Sequence, residues 1–203
     1  MSELSVGTLS GLAANGYVID VASGSSLDVT NATGTLPAAQ LPAGSILRVV
    51  STTKTDIFSA SVPASGNVEV TGLTITHAMS SASNKLILMG FFGTAATTEG
   101  RGRVGNAFAD NGTLIGIGDA DGSRTRTASG GITSITSSNE NVTMPHIHLE
   151  YSPGDTASHT YALRAVNITS ATQTLYVNRT QLDFNDGSTP RGVSALTLME
   201  VAG

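Results

Sequence analysis

The side chains best suited to chemistry are His146 and His148, which flank Ile147. If this segment forms a β-strand, residues two apart point to the same side of the sheet, so both imidazoles face one way. Imidazole is a good ligand for transition metals, and a threefold assembly would bring six such rings to one ion. The pattern therefore predicts a metal site at His146 and His148. The alternative is a solvent-exposed polar face opposite the apolar side chains of the same strand.

Two pairs of arginines have the same two-residue spacing, Arg101 with Arg103 and Arg124 with Arg126. On strands, each pair would present two guanidinium groups on one face. Guanidinium groups bind carboxylates through paired hydrogen bonds, so each pair is a candidate contact to a neighbouring subunit or an acidic surface glycan. The alternative is a solvated face whose exposed ion pairs contribute little.

Patterns typical of enzymes are weak or missing. Asp119-Ala120-Asp121-Gly122 begins like a calcium loop, but Ser123 and Arg124 follow and no Glu occupies the twelfth position, which favours an Asp-Gly turn. No nucleophile elbow or phosphate-binding glycine loop is present, and the acidic residues are too scattered to nominate a glycosidase pair. The sequence therefore predicts a protein that is not an enzyme and has no cofactor.

The composition limits the partners of the chain. Charged residues make up 12% of its 203 residues, against about 25% in an ordinary globular protein, and Cys and Trp are absent. Abundant Thr, Ser and Gly suit strands and turns. The net charge of −5 and the scattered arginines lack the basic footprint of a nucleic-acid-binding protein. Few aromatic and charged residues indicate that contacts between subunits complete the core.

No segment has the features of export or membrane insertion. Met1-Ser2-Glu3-Leu4 lacks the basic and apolar regions of a signal peptide. The longest apolar run, Leu86–Phe92, is far shorter than the roughly 20 residues of a membrane helix. We therefore expect synthesis in a cytoplasm and no membrane insertion.

The sequence divides near Gly44 into an N-terminal arm and a domain. Residues 1–44 are small, polar and rich in turn residues, and isolated leucines in such a background cannot form a core. We predict an extended arm whose leucines insert into partner proteins; they are Leu9, Leu12, Leu36 and Leu41. The alternative is a disordered tail.

From Ser45 onward, short alternating or apolar segments are separated by turn signals. The predicted strands are Ile46–Val50, Val68–Ile75, Lys85–Gly93, Gly102–Ala109, Thr113–Ile117, Thr143–Tyr151, Thr160–Ile168, Thr174–Thr180 and Ser194–Val201. Leu86–Phe92 is apolar on both faces, which predicts a place in the centre of a sheet or at a subunit interface. The pattern predicts an all-β fold, an antiparallel jelly-roll sandwich over residues 45–203 preceded by the arm.

Several phrases resemble those of a known group of proteins. Ser5–Leu9, Leu36–Gly44 and Ile46–Asp56 are similar to N-terminal segments of structural proteins from marine and cyanobacterial bacteriophages. The remainder, including Ser158–Tyr161 and Ala195–Val201, resembles the jelly-roll domain that often follows such a segment. The resemblance implies a virion component with a TNF-like jelly roll and threefold assembly.

The resemblance also implies a function. It indicates a homotrimeric tail-fibre or baseplate appendage that takes part in host attachment, with residues 1–44 docked on other virion proteins. One alternative is a head-decorating capsid-fibre or cement protein. Another, of a different class, is a carbohydrate-binding module or depolymerase, which would need a groove lined by aromatic residues or paired carboxylates. The expected location is the virion, and the expected outer partner is a host surface glycan or protein.

Overall fold

The computed structural model describes residues 41–96, 103–129, 132–133 and 142–203, and this part of the chain is all β without a helix. Its strands, in chain order, are β1 (Ile46–Lys54), β2 (Phe58–Val62), β3 (Asn67–Ala78), β4 (Lys85–Phe91), β5 (Thr94–Ala96), β6 (Arg103–Asp110), β7 (Thr113–Ile115), β8 (Ile132–Thr133), β9 (His146–Tyr151), β10 (Ser158–Asn167), β11 (Gln173–Val177) and β12 (Ser194–Val201). The predicted fold class is confirmed.

The strands pair antiparallel in three sheets. A four-stranded sheet has the order β1-β12-β4-β9, and a second sheet has the order β3-β10-β6-β7 with β8 beside β6. A smaller sheet has the order β2-β11-β5. The first strand pairs with the last, from Ile46 opposite Val201 to Lys54 opposite Ser194. These long-range pairings build an antiparallel sandwich, and their order is compatible with a jelly roll.

The hydrophobic core lies between the inward faces of the sheets. The four-stranded sheet contributes Leu86, Leu88, Ile147, Leu196 and Leu198. The second sheet contributes Val70, Leu73, Ile75, Val104, Phe108, Tyr161, Leu163 and Ala165. The small sheet adds Val62, Leu175 and Val177. Every second residue of β12 is buried. Side chains along a strand point alternately to its two faces, and one face of β12 packs against the core.

The two main sheets approach closely at Gly90. A Cβ atom placed on Gly90 would lie 2.8 Å from Cδ1 of Leu163, which is fully buried on β10. Because Leu163 is enclosed by the core, it has little room to move away. Glycine at position 90 is therefore a packing requirement of the sandwich.

Most predicted strands agree with the observed ones. Ser194–Val201 matches β12 at both ends, and the doubly apolar Leu86–Phe92 contains most of β4, which lies between β12 and β9 in the centre of its sheet. Three short strands were not predicted: β2, β5 and β8. In β2 the alternation of Phe58, Ala60 and Val62 is present, but Ser59 and Ser61 and the small Ala60 make the apolar signal weak.

Glu200 is a carboxylate at an inward position of β12 and is almost completely buried. Its Oε1 accepts hydrogen bonds from the backbone N of Ser80 at 2.7 Å, from Ser80 Oγ at 2.6 Å and from Asn84 Nδ2 at 2.6 Å. Its Oε2 lies 2.9 Å from Nε2 of His77 on β3. The network ties the last strand to the β3–β4 connection and to the second sheet.

The pKa of Glu200 reflects two opposed effects. Burial raises the pKa, but the hydrogen bonds from Ser80, Asn84 and His77 outweigh burial and hold the pKa below its ordinary value. A carboxyl with a lowered folded-state pKa stabilises the fold above its unfolded pKa, which is about 4.3. That contribution is lost as the pH falls through the folded-state pKa.

We expect Glu200→Gln to lower the free energy of unfolding at pH 7 by about 1–3 kcal/mol, because one acceptor of a buried network is lost. The deficit should shrink as acid protonates the wild-type carboxylate. Urea denaturation at pH 7 and in acid measures both effects. Glu69→Gln is the control, since the Glu69 side chain is 41% exposed and lies 3.5 Å from Arg164 in a weak ion pair. Equal deficits for the two variants at pH 7 would contradict this role of Glu200.

Candidate functional site

The outward side chains of the four-stranded sheet form one continuous surface, here called the outer sheet face. Its members are Val49, Ser51 and Thr53 on β1, Ala195, Thr197 and Met199 on β12, Ile87, Met89 and Phe91 on β4, and His146, His148 and Glu150 on β9. The strand register places them in three rows across the sheet. Four strands about 4.8 Å apart and some five residues long give this face an area of roughly 300 Å².

The outer sheet face carries exposed apolar side chains among polar ones. Met89 on β4 is 36% exposed and lies opposite Thr197 on one side and His148 on the other. Val49 at the β1 edge is 55% exposed. Apolar side chains that a fold leaves outward in one patch of this size mark an interaction surface in many proteins.

Charge on this face is placed at one corner. Lys85 Nζ lies 2.6 Å from Glu150 Oε1, and both side chains are about half exposed. The hydrogen bond from Lys85 holds the pKa of Glu150 below its usual range. The pair neutralises itself, so β4 and β9 place no unpaired carboxylate or ammonium beside Met89 on this face.

The structure places His146 and His148 together on the outer sheet face. Both are exposed on β9, and the Ile147 side chain between them is buried in the core. The His146 ring lies 4.5 Å, centroid to centroid, from the ring of Phe91. With Met89 and Thr197, these residues line a shallow depression of about 340 Å³. The common orientation expected from the sequence is therefore present.

The metal site itself stays a prediction. Among the described residues, no three His, Cys, Asp or Glu side chains are arranged to hold a metal ion. Two imidazoles from one chain leave a tetrahedral or octahedral ion short of ligands. The remaining ligands would have to come from further copies of the chain.

The predicted arginine contacts have mixed outcomes. Arg101 lies outside the described residues, and Arg103 begins β6, where its backbone pairs with Thr133. The expectation that Arg124 and Arg126 share a strand is wrong. Both lie in a loop, residues 116–129, in which Asp121 and Arg124 close a turn around Gly122.

Local hydrogen bonds explain why the segment of Arg124 and Arg126 is a loop. Arg124 Nη1 pairs with the Asp121 carboxylate, and Arg126 Nε donates to the backbone oxygen of Gly118. Gly122 has a φ of +55°, which interrupts an extended chain. The two guanidinium groups therefore serve contacts within the loop rather than forming a paired face.

Of the four leucines predicted to dock on partners, Leu41 alone falls within the described residues. It is half-buried beside Leu47 and lines a depression together with the C-terminal Ala202 and Gly203. Gly44 N donates to Ala202 O at 2.8 Å, so the domain already begins before β1. Leu9, Leu12 and Leu36 lie outside the described residues.

Two polar clusters were not singled out from the sequence. One is the Glu200 network. The sequence did indicate it, because Glu200 is on the same face of the predicted strand as the apolar Leu196 and Leu198. The other joins His159 to Asp110 and Asp155, at 2.6 and 3.1 Å. His159 and Asp110 are far apart in sequence, and no local pattern indicated that they meet.

Comparison with models of known protein families gives no match, and comparison with curated proteins gives no significantly similar sequence. The resemblance to phage structural proteins therefore stays a prediction. In the part of the chain that the structure describes, there is no helix long and apolar enough to cross a membrane.

We expect a transition metal to raise the melting temperature of the assembled protein through His146 and His148. Imidazole must be neutral to bind a metal, so the stabilisation should weaken in acid. Elemental analysis, together with melting curves with and without a chelator, measures the effect. The double variant His146→Gln/His148→Gln is the control, and the chelator should leave it unchanged. The site would be ruled out if wild-type protein contained no metal and its melting temperature did not change with the chelator.

Proposed function

We propose that the protein is a non-enzymatic structural component of a bacteriophage particle, assembled as a homotrimer through the outer sheet face. The exposed apolar side chains of that face, Met89 and Val49, are the observation that carries the proposal. Residues 1–44 anchor the trimer to other virion proteins, and the sandwich contacts the host surface from a tail fibre or baseplate. The phage context rests on the resemblance of the sequence.

The chemistry of the outer sheet face favours a second copy as its occupant. Ile87, Met89 and Met199 have flexible or branched apolar side chains, which pack well against other apolar side chains. Burying such residues supplies the apolar contact that a chain with 12% charged residues and few aromatics needs. A face of roughly 300 Å² is smaller than the approximately 800 Å² that each partner buries in a standard interface, so bordering loops contribute the rest.

A head-decorating protein remains the alternative within the same class, because the same trimer with a different anchor would serve it. A carbohydrate-binding module would bind sugar by stacking on aromatic rings. The depression on the outer sheet face offers Phe91, which is half-buried and packed on His146. This arrangement suits protein contact better than a sugar-stacking platform.

We expect Met89→Glu to convert the trimer to a monomer. The new carboxylate would be buried unpaired at the subunit contact, at a cost of about 3 kcal/mol or more, which weakens association at least a hundredfold. Sedimentation at micromolar concentration should show a fall from three times 20.6 kDa to 20.6 kDa. Leu182→Glu is the matched control, because Leu182 is 41% exposed and lies outside the outer sheet face. A monomeric wild type, or a trimeric Met89→Glu variant, would refute assembly through this face.

We expect a chain that begins at Leu41 to fold and associate normally but to be missing from phage particles. The truncation keeps Gly44, whose backbone N donates to Ala202 O, and removes residues 1–40 of the predicted anchor. Complementation of a phage lacking the gene, followed by quantification of the protein in purified particles, tests this. Labelling the full-length protein and imaging the particles would separate a tail position from a head position. Normal incorporation of the truncated chain would place the anchor elsewhere, and absence of the full-length chain from particles would refute the virion role.

A further inference from the structure

His159 lies between two carboxylates from different parts of the chain. Its Nδ1 lies 2.6 Å from Oδ1 of Asp110, at the end of β6. Its Nε2 lies 3.1 Å from Oδ1 of Asp155, in the loop of residues 152–157 that connects β9 to β10. Asp110 is buried, whereas Asp155 is about half exposed.

The hydrogen-bonding chemistry of this cluster depends on one proton. An ionised carboxylate only accepts hydrogen bonds, so both contacts of His159 are hydrogen bonds only when both ring nitrogens carry a proton. In the neutral ring the remaining proton belongs on Nδ1, because the contact to the buried Asp110 is shorter. The lone pair of Nε2 would then face the Asp155 carboxylate, and that contact would become repulsive.

We propose that His159 is a proton-operated clasp, which holds the loop of residues 152–157 against β10 when the imidazole is charged and releases it when the imidazole is neutral. The loop contains Pro153 and Gly154, the latter with a φ of +82°. Asp155 also accepts a hydrogen bond from the backbone N of Ala157 at 2.8 Å. That bond is local to the loop, so the bond to His159 is the one that joins Asp155 to the strand.

The groups around the ring support a charged imidazole. Tyr151 Oη donates to Oδ2 of Asp110 at 2.9 Å, so Asp110 accepts from both sides. Burial and the contact with Asp110 raise the pKa of Tyr151 to about 12, which keeps this donor protonated. The Tyr161 ring stacks on the His159 ring, with 6.0 Å between the two centroids, and burial raises the pKa of Tyr161 as well.

One further titratable group faces the ring from the neighbouring strand. His77 lies opposite His159 in the register of β3 and β10, and its Nε2 contacts the Glu200 carboxylate. The titratable groups nearest to His159 are therefore Asp110 and Asp155, with Tyr151, Tyr161 and the His77–Glu200 pair beyond them.

The direction of the pH effect follows from the geometry. The hydrogen bonds to Asp110 and Asp155 raise the pKa of His159, against an opposing effect of burial. A histidine whose folded-state pKa is raised stabilises the closed loop fully below its unfolded pKa, which is about 6.5. The stabilisation is lost as the pH rises through the folded-state pKa. The clasp is therefore closed in mild acid and opens as the pH rises through the folded-state pKa of His159.

Nuclear magnetic resonance on the full chain tests the clasp with two readouts. The ring signals of His159 should titrate with a midpoint above 6.5, and Asp155→Asn should lower that midpoint while leaving an acceptor for the Ala157 amide. The methyl group of Ala157, labelled with ¹³C, should be ordered below the midpoint in wild-type protein and mobile above it. In Asp155→Asn the amide can accept from the charged ring or donate to the neutral ring, so the order of Ala157 should no longer change with pH.

Asp186→Asn is the matched control. Asp186 accepts hydrogen bonds from the backbone N and Oγ of Ser188 at 2.8 and 2.7 Å, which is similar local chemistry in another exposed turn. This variant should change neither the His159 midpoint nor the Ala157 dynamics. In the wild-type protein, a His159 midpoint at or below 6.5, or order of the Ala157 methyl group that does not change across the titration, would overturn the proposal.

Discussion

The two main sheets come into close contact where Gly90 of β4 meets Leu163 of β10. Gly90 leaves the space that Leu163 fills, and the inward Leu86, Leu88 and Leu198 belong to the same hydrophobic core. A core with few aromatic rings gains its stability from many short aliphatic contacts, and these are strong only at high packing density. The strands on both sides therefore have to present an apolar residue at every second position wherever the sheets face each other.

At the margins of the sandwich, buried polar side chains replace hydrophobic contacts and bind the connections to the sheets. The Nδ2 of Asn167 donates to the backbone oxygens of Val62 and Ala171, and its Oδ1 accepts from Thr169. The Asn167 side chain is buried but has hydrogen-bond partners, so its burial costs little. A chain with few charges can in this way order its loops through amides and hydroxyls.

Asn178 has the same role at the opposite margin. It adopts a φ of +60°, donates through Nδ2 to the backbone oxygen of Lys54 and accepts from Ser194 Oγ at 2.6 Å. Asparagine tolerates this left-handed backbone conformation better than most residues. One side chain thus connects the end of β1, the end of β11 and the beginning of β12.

The two-residue period of the strands links the core to the proposed interface. Once Leu196 and Leu198 point inward, Thr197 and Met199 have to point outward. The core requires apolar side chains at Leu196 and Leu198, but it does not restrict the side chains at Thr197 and Met199. The fold therefore does not require Met199, Met89 and Val49 on the outer side to be apolar, and these side chains are available for contact between molecules.

The sequence by itself determined the strand positions where alternation is strong. Ser194–Val201 was predicted as a strand, as was the shared orientation of His146 and His148. These features depend on neighbours within a few residues, and the strand period alone fixes them. The weak alternation of Phe58–Val62 was missed because serine and alanine separate its apolar residues.

Only the tertiary structure decided which strands lie side by side and which polar groups meet. Met89 is central to the outer sheet face because β12 and β9 pair with β4, and no local signal sets that order. The Asp110–His159 contact spans 49 residues of sequence. Arg124 and Arg126 have the spacing of a strand face, but a turn and backbone hydrogen bonds to β6 fold their segment into a loop. Spacing predicts orientation within one strand, whereas contacts between distant segments depend on the packing of the whole sandwich.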